Sequence, residues 1–372
     1  MKKSKIGFYV LLLVVLFSCS GEKNTVRLFV GKFTETGQKG FQLLELNQVD
    51  GSLVFISESD AGPNPSYFCF SKKHKLIYAA NEIMNFNGSR GGGVTTLKYD
   101  ATAGSIEKVN EFGVPDGSPC YISLSPGEDF LFLANYTGGS VTVIKLNEKG
   151  IPEKITNSIF FEANEGKVSH PHMIMYCPSG KLVYLTDLGL DRIVIFNFDS
   201  IEGRLQEIQN GIANLPEGSG PRHFVFNQDG TMMYVINELN SSVSVFKVDA
   251  NGELTPIQNL STLREGFDEQ SFCADIHLSK NGDFLYGSNR GENSIVTFRI
   301  NSDGLLDLAG QTSCGGDWPR NFVIDPSGKY ILVGNQRSGN ISVFGIDTET
   351  GLPVETGVDF RLSGVACLKF QE

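Results

Sequence analysis

Apolar residues in this chain come in short runs, each closed by Gly, Asn, Asp or Ser. The stretch from Gly218 to Val245 shows the pattern. Phe224 and Phe226 alternate with other residues and are followed by the turn Asn227-Gln228-Asp229-Gly230. Met232 to Ile236 predicts a second strand, Asn240-Ser241-Ser242 a second turn, and Val243-Val245 the start of a third strand. In an antiparallel pair the start of the first strand lies beside the end of the second. Arg222 and His223 stand at that start and Glu238 at that end, so a guanidinium, an imidazole and a carboxylate are expected at one edge of one sheet.

The same unit recurs. A strand ending in a polar residue appears as LIYAAN to Asn81, LFLAN to Asn135, LVYLTD to Asp187, MYVIN to Asn237, LYGSN to Asn289 and ILVGN to Asn335. The steps are 54, 52, 50, 52 and 46 residues. After each comes a turn and a Val/Ile-rich strand, at Val94, Val141, Ile193, Val243, Ile295 and Ile341, and then a more polar strand. Four short strands at a period of about 50 residues is the signature of a β-propeller blade. Opening strands are expected at Tyr67, Tyr121, His172, His223, Ala274, Asn321 and, at the C-terminus, Ala366. The last has no blade after it, whereas Arg27–Gly31, Gln42–Leu46 and Leu53–Ser57 are three strands without an opener. The two ends therefore predict one shared blade that closes an all-β, seven-bladed propeller over residues 26–372 and leaves no free sheet edge.

The N-terminus departs from the repeat. Lys2, Lys3 and Lys5 precede an apolar run from Ile6 to Phe17, too short to cross a bilayer as a helix. It ends in Leu16-Phe17-Ser18-Cys19, which resembles a bacterial lipobox. The reading is a signal peptide over residues 1–18, lipidation at Cys19 and a polar tether over residues 19–25. It implies an exported bacterial lipoprotein held at a membrane by its lipid anchor only, on the periplasmic or cell-surface side. The net charge of -11 argues against nucleic acid, which demands a basic face. Cys69, Cys120, Cys177, Cys273, Cys314 and Cys367 form no CxxC pair and mostly fall in apolar strands, so they read as small buried hydrophobes. No metal or cofactor is expected, and the chain is expected to be a monomer.

In a propeller the opening strands line a central channel and start around one mouth. Four of the five histidines, together with Arg222, Arg320 and the single tryptophan, lie on or just before openers. The second-strand ends add Glu82, Asn237, Glu238 and Arg290. Three readings stay open at individual positions. His170 either contacts ligand or caps its strand. Asp275 either touches ligand or pairs with Arg290 or Arg320. His277, among apolar neighbours, reads as a satisfied structural group.

The segments GPRHFVF, NELNSSV, CADIHLSKNG and LYGSNRGENSI resemble the seven-bladed propeller lactonases, a family that includes a bacterial 6-phosphogluconolactonase and a fungal carboxy-muconate lactonizing enzyme. The resemblance covers all seven blades. It implies a lactonase, a carboxylic ester hydrolase that opens a sugar or sugar-acid lactone with base-activated water, and it implicates His172, Arg222, Glu238 and Arg290. His172 is preferred to His170. His172 or Glu238 would be the base, and the arginines would hold the oxyanion or an anionic group of the substrate. His170, His223, Asp275, Arg320 and Asn237 are expected around the bound lactone. The leader leaves open whether that lactone is phosphorylated. A muconate-type cycloisomerase and a non-catalytic propeller that binds a carbohydrate or protein partner are the alternatives.

Overall fold

A computed structural model describes residues 24–34, 38–163 and 166–371. The leader and Cys19 lie outside the described residues. Among the described residues, seven four-stranded antiparallel sheets make up the body of the fold. Six run outward in chain order, opening with Pro65–Ser71, Pro119–Leu124, Pro171–Tyr176, Pro221–Phe226, Phe272–Leu278 and Pro319–Ile324; these are blades 1 to 6. Blade 7 takes Val365–Phe370 as its inner strand and adds Thr25–Lys32, Phe41–Asn47 and Leu53–Ser59. The shared blade expected from the two chain ends is thus present, each strand running one to three residues longer than the apolar run that predicted it. Blade 1 also carries a small hairpin, Asn85–Phe86 with Ser89–Arg90. Its turn residues Asn87 and Gly88 both have positive φ, 49° and 80°, as a tight hairpin turn requires. This insertion was not expected, although the Asn-Gly pair signals it.

The blades pack face to face through the alternate apolar residues of their strands. Phe29, Phe68, Phe132, Phe224, Phe246 and Phe298 are fully buried between them. A recurring tyrosine of the second strand also stitches neighbours together. Its hydroxyl donates to the carbonyl of a turn glycine in the next blade: Tyr78 to Gly150 at 2.6 Å, Tyr184 to Gly252 at 2.8 Å, Tyr234 to Gly304 at 2.9 Å and Tyr286 to Gly351 at 2.9 Å. The six cysteines beyond the leader are free thiols, five of them buried, and burial pushes Cys69, Cys273 and Cys367 up to about 12.

Two repeated features shape the mouth. The polar residues ending the second strands, Asn81, Asn135, Asp187, Asn237, Asn289 and Asn335, are fully buried. They hold the turns at the mouth, as Asn135 does by donating to Ser140 and Thr142 at 3.0 and 2.9 Å. The inner strands carry the second feature. In every blade the pairing of first and second strands slips by one residue near the mouth. In blade 4, Pro221 pairs with Asn237 but His223 with Ile236, so Arg222 has no partner in the ladder. Ser66, Cys120, His172, Arg320 and Ala366 are left out of their ladders in the same way. A β-bulge of this kind bends the strand and re-aims the extra side chain.

Candidate active site

Three bulged residues, His172, Arg222 and Arg320, supply ionisable groups to the mouth. Others come from the position after a buried Asn, namely Glu82, Tyr136, Glu238 and Arg290, whereas Leu188 and Gln336 hold the same position without an ionisable group. Glu238 is fixed by its backbone. Its N–H donates to Gly220 at 2.7 Å, its carbonyl accepts from Cys273 at 3.2 Å, and Gly220 itself donates to Asp191 at 2.8 Å. Gly220 has a φ of 63°, and a β-carbon there would lie 2.5 Å from Leu239, so the turn that carries Glu238 needs glycine.

The Glu238 carboxylate bridges two guanidiniums. Its Oε2 lies 2.9 Å from Arg222 Nε and 2.8 Å from Arg290 Nη2. The Nε–H of Arg222 is not directed well enough at that oxygen to make a hydrogen bond, so this contact is mainly coulombic. Arg222 and Arg290 are only 2% and 5% exposed. Consecutive carbonyls of the blade 5 opener turn toward them. Cys273 accepts from Arg290 Nη2 at 2.8 Å, Phe272 from its Nε at 3.3 Å, and Ala274 accepts from Arg222 Nη1. Arg290 also lies 5.3 Å from the Trp318 ring, which carries Arg337 at 3.3 Å. Arg320 sits across the mouth, 4.8 Å from the Phe33 ring and 3.6 Å from Glu82. The mouth therefore gathers Arg222, Arg290 and Arg320 against Glu82 and Glu238.

The charges follow from these neighbours. Burial would raise Glu238, but Arg290 and Arg222 hold it below the usual carboxylate range, so it stays ionised. Burial lowers Arg290 to about 10, and its charge survives at neutral pH. His172 is 5% exposed, and burial together with Arg222 drives it well below the ordinary imidazole value, which leaves it neutral. Its Nδ1 is buried without a partner among the described residues. His223 lies beside it, ring centroids 5.1 Å apart, and burial with Arg222 lowers it to about 4.

The expected site residues do not all face the mouth in the same way. Arg222, Glu238 and Arg290 meet directly, and His172 and His223 adjoin them. His170 stacks on Tyr136 at 4.5 Å, with its Nδ1 2.9 Å from the Tyr136 carbonyl. Asn237 instead supports the turn, since its amide donates to Ser242 and Ser244 at 2.9 Å each. Asp275 pairs with neither arginine. It stands behind His223, and its carboxylate accepts from His223, His277, Asn321 and the Phe322 N–H. Sequence reasoning missed Tyr136, whose ring edges toward His172 at 5.7 Å, and the stacked pair Tyr67 and Tyr121 beneath His223. Tyr136 follows Asn135 just as Glu238 follows Asn237, which is the signal that marks it.

Comparison with known proteins agrees with this fold. Residues 27–370 match the family model "Lactonase, 7-bladed beta-propeller". A 6-phosphogluconolactonase of Formosa agariphila is 35% identical over 87% of this chain and 93% of its own length. One of Bacillus subtilis is 29% identical over 92% and 97%. The crystal structure of a putative 6-phosphogluconolactonase from Bacteroides fragilis superposes with a TM-score of 0.86 at 30% identity, covering 95% of this chain and 99% of that one. A periplasmic gluconolactonase of Pseudomonas aeruginosa superposes with a TM-score of 0.87 at 29% identity, over 94% and 99%. With its seven four-stranded blades and its match over residues 27–370, the chain belongs to the seven-bladed β-propeller lactonase family, and it is a lactonase.

Proposed function

We propose that the mouth opens a sugar or sugar-acid lactone that carries a negative charge. The observation that carries this reading is the buried Arg222–Glu238–Arg290 cluster with Arg320 opposite, which leaves guanidiniums in excess of carboxylates beside a neutral imidazole. Such a site favours an anion on entry and an oxyanion during reaction. Water adds to the acyl carbon while His172 or Glu238 takes its proton. Arg222 and Arg290 hold the charge that develops on the carbonyl oxygen. The ring C–O bond then breaks, and the leaving alkoxide takes a proton back. The product hydroxy acid ionises at neutral pH, so each turnover releases one proton.

The relatives named as 6-phosphogluconolactonases support a sugar lactone, and the periplasmic gluconolactonase supports an exported member of the fold. The leader and Cys19 add a lipid anchor to that reading. The test is a panel of lactones offered to protein lacking residues 1–19. Anionic aldonolactones, phosphorylated or oxidised, should be opened with higher kcat/KM than neutral ones. If Glu238→Gln and His172→Ala both keep full turnover, neither is the base, and the mouth is a binding pocket.

A further inference from the structure

Two glutamates stand at equivalent places in blades 1 and 4, across the mouth from one another. Glu82 follows the buried Asn81 as Glu238 follows Asn237. Their backbones are held alike. The Glu82 N–H donates to the Asn64 carbonyl at 3.0 Å, as that of Glu238 does to Gly220, and Asn64 and Gly220 share a positive φ, 44° and 63°. The surroundings of the two carboxylates differ. Glu238 is closed by Arg222 and Arg290 at 2.9 and 2.8 Å. Glu82 faces Arg320, and its Oε2 stays 3.6 Å from Arg320 Nη2, too far for a hydrogen bond. That oxygen is buried with no hydrogen-bond partner among the described residues. Arg320 is held from its other side by the Phe33 ring of blade 7, 4.8 Å away. Two more polar atoms are open in the same sense among the described residues: Oγ of Ser66, the bulged residue of blade 1, and Oε1 of Gln336, which follows Asn335 in blade 6.

We propose that Glu82 is a specificity-determining residue which, together with Arg320, binds the hydroxylated part of the lactone while Arg222 and Arg290 hold its acyl end. The proposal rests on the reading of the mouth as a lactone-opening site. A carboxylate only accepts hydrogen bonds and a guanidinium only donates them, whereas a hydroxyl does both. Two neighbouring hydroxyls therefore suit a carboxylate and a guanidinium set 3.6 Å apart. One donates to Glu82 Oε2 and the other accepts from Arg320. Ser66 and Gln336 offer further partners on the same side. A phosphate or carboxylate placed there would satisfy Arg320 alone and lie against the Glu82 charge. An unhydroxylated chain would leave the buried Glu82 oxygen without a partner, which is costly. The arc of blades 6, 7 and 1 thus selects a polyol, and the closed cluster of blades 4 and 5 takes the charge.

The test compares ligands that differ only in their hydroxyls. Removing the Glu82 charge strengthens the binding of every anion, so the ratio of two affinities is the readout. By titration calorimetry, wild type should bind D-gluconate about tenfold or more tighter than hexanoate, a six-carbon carboxylate without hydroxyls. In Glu82→Ala that preference should fall to about twofold or less, and in Glu82→Gln, which keeps an acceptor oxygen without the charge, it should lie between. The ratio of kcat/KM for glucono-δ-lactone over δ-valerolactone should follow the same order. If Glu82→Ala does not fold, Glu82→Gln decides, with a loss of preference of about threefold expected. A wild type without preference for gluconate overturns the proposal, as does a variant that keeps the full preference. A protein that opens no lactone sinks the functional reading instead, while the two acids still decide the role of Glu82.

Discussion

Glu238→Gln is the substitution that probes the site most directly. It keeps the shape of the side chain and removes the charge lying 2.9 and 2.8 Å from two buried guanidiniums. With charge centres about 4 Å apart and an effective dielectric near 20, each contact has a Coulomb term of roughly 4 kcal/mol. Much of that offsets the desolvation of three buried ions, and neutralising one partner of such a cluster costs about 3–5 kcal/mol. Glu238 is 17% exposed and glutamine retains an acceptor, which places the loss at the low end, about 3 kcal/mol. For a domain this large that is a fall in Tm of about 5 °C. Turnover should drop by about a hundredfold or more, as expected for a lost base or orienting charge. Inorganic phosphate should restore part of the Tm in the variant and do less in wild type, because an anion can stand in for the missing carboxylate. The pH dependence has a definite sign. The folded value of Glu238 is lowered from 4.5, so its stabilisation is present above that value and is lost as pH falls through the folded value. The variant should lack this acid-side loss. A variant with unchanged Tm, no response to phosphate and full turnover would refute the argument.

Other substitutions test the remaining parts of the structure. Removing residues 365–372 deletes the inner strand of blade 7, which should expose the edge of Thr25–Lys32 and abolish cooperative unfolding in calorimetry; an unchanged Tm would contradict ring closure. Arg290→Ala should raise KM for an anionic lactone at least tenfold and leave that of a neutral one within about threefold, as steady-state kinetics would show. Tyr234→Phe removes the donor to Gly304 and should cost about 1 kcal/mol in urea unfolding with activity retained. Cys19→Ala should release the protein from the membrane fraction or leave it unprocessed, and mass spectrometry of an unlipidated N-terminus elsewhere would rule out the anchor.

The ring and its closure were legible because each blade repeats a period-two apolar pattern between Gly- and Asn-rich turns, and because the two chain ends were incomplete in complementary ways. The meeting of Arg222, Glu238 and Arg290 was legible for the same reason, since antiparallel pairing sets a strand start beside a strand end. The roles of Asn237 and Asp275 were not. Both are polar and lie at the mouth end of strands, but orientation depends on which ladder contacts are slipped and on partners a whole blade away. Asp275 finds His223 in the preceding blade and Asn321 in the next, contacts that no local pattern encodes. The hairpin at Asn87-Gly88 had a clear signal that the blade period masked.

The slipped pairing near the mouth separates what the fold demands from what the chemistry demands. At these positions the chain can exchange a side chain without disturbing any pair on either side, because the residue has no opposite number. This molecule places serine, cysteine, histidine, two arginines and alanine at such points, while the neighbours that keep register stay apolar or proline in most blades. A change at such a point is therefore felt through the side chain's own partners and not through the ladder: Cys120 is held against the carbonyls of Ala134, Pro171 and His172, and Arg222 against Glu238 and Ala274.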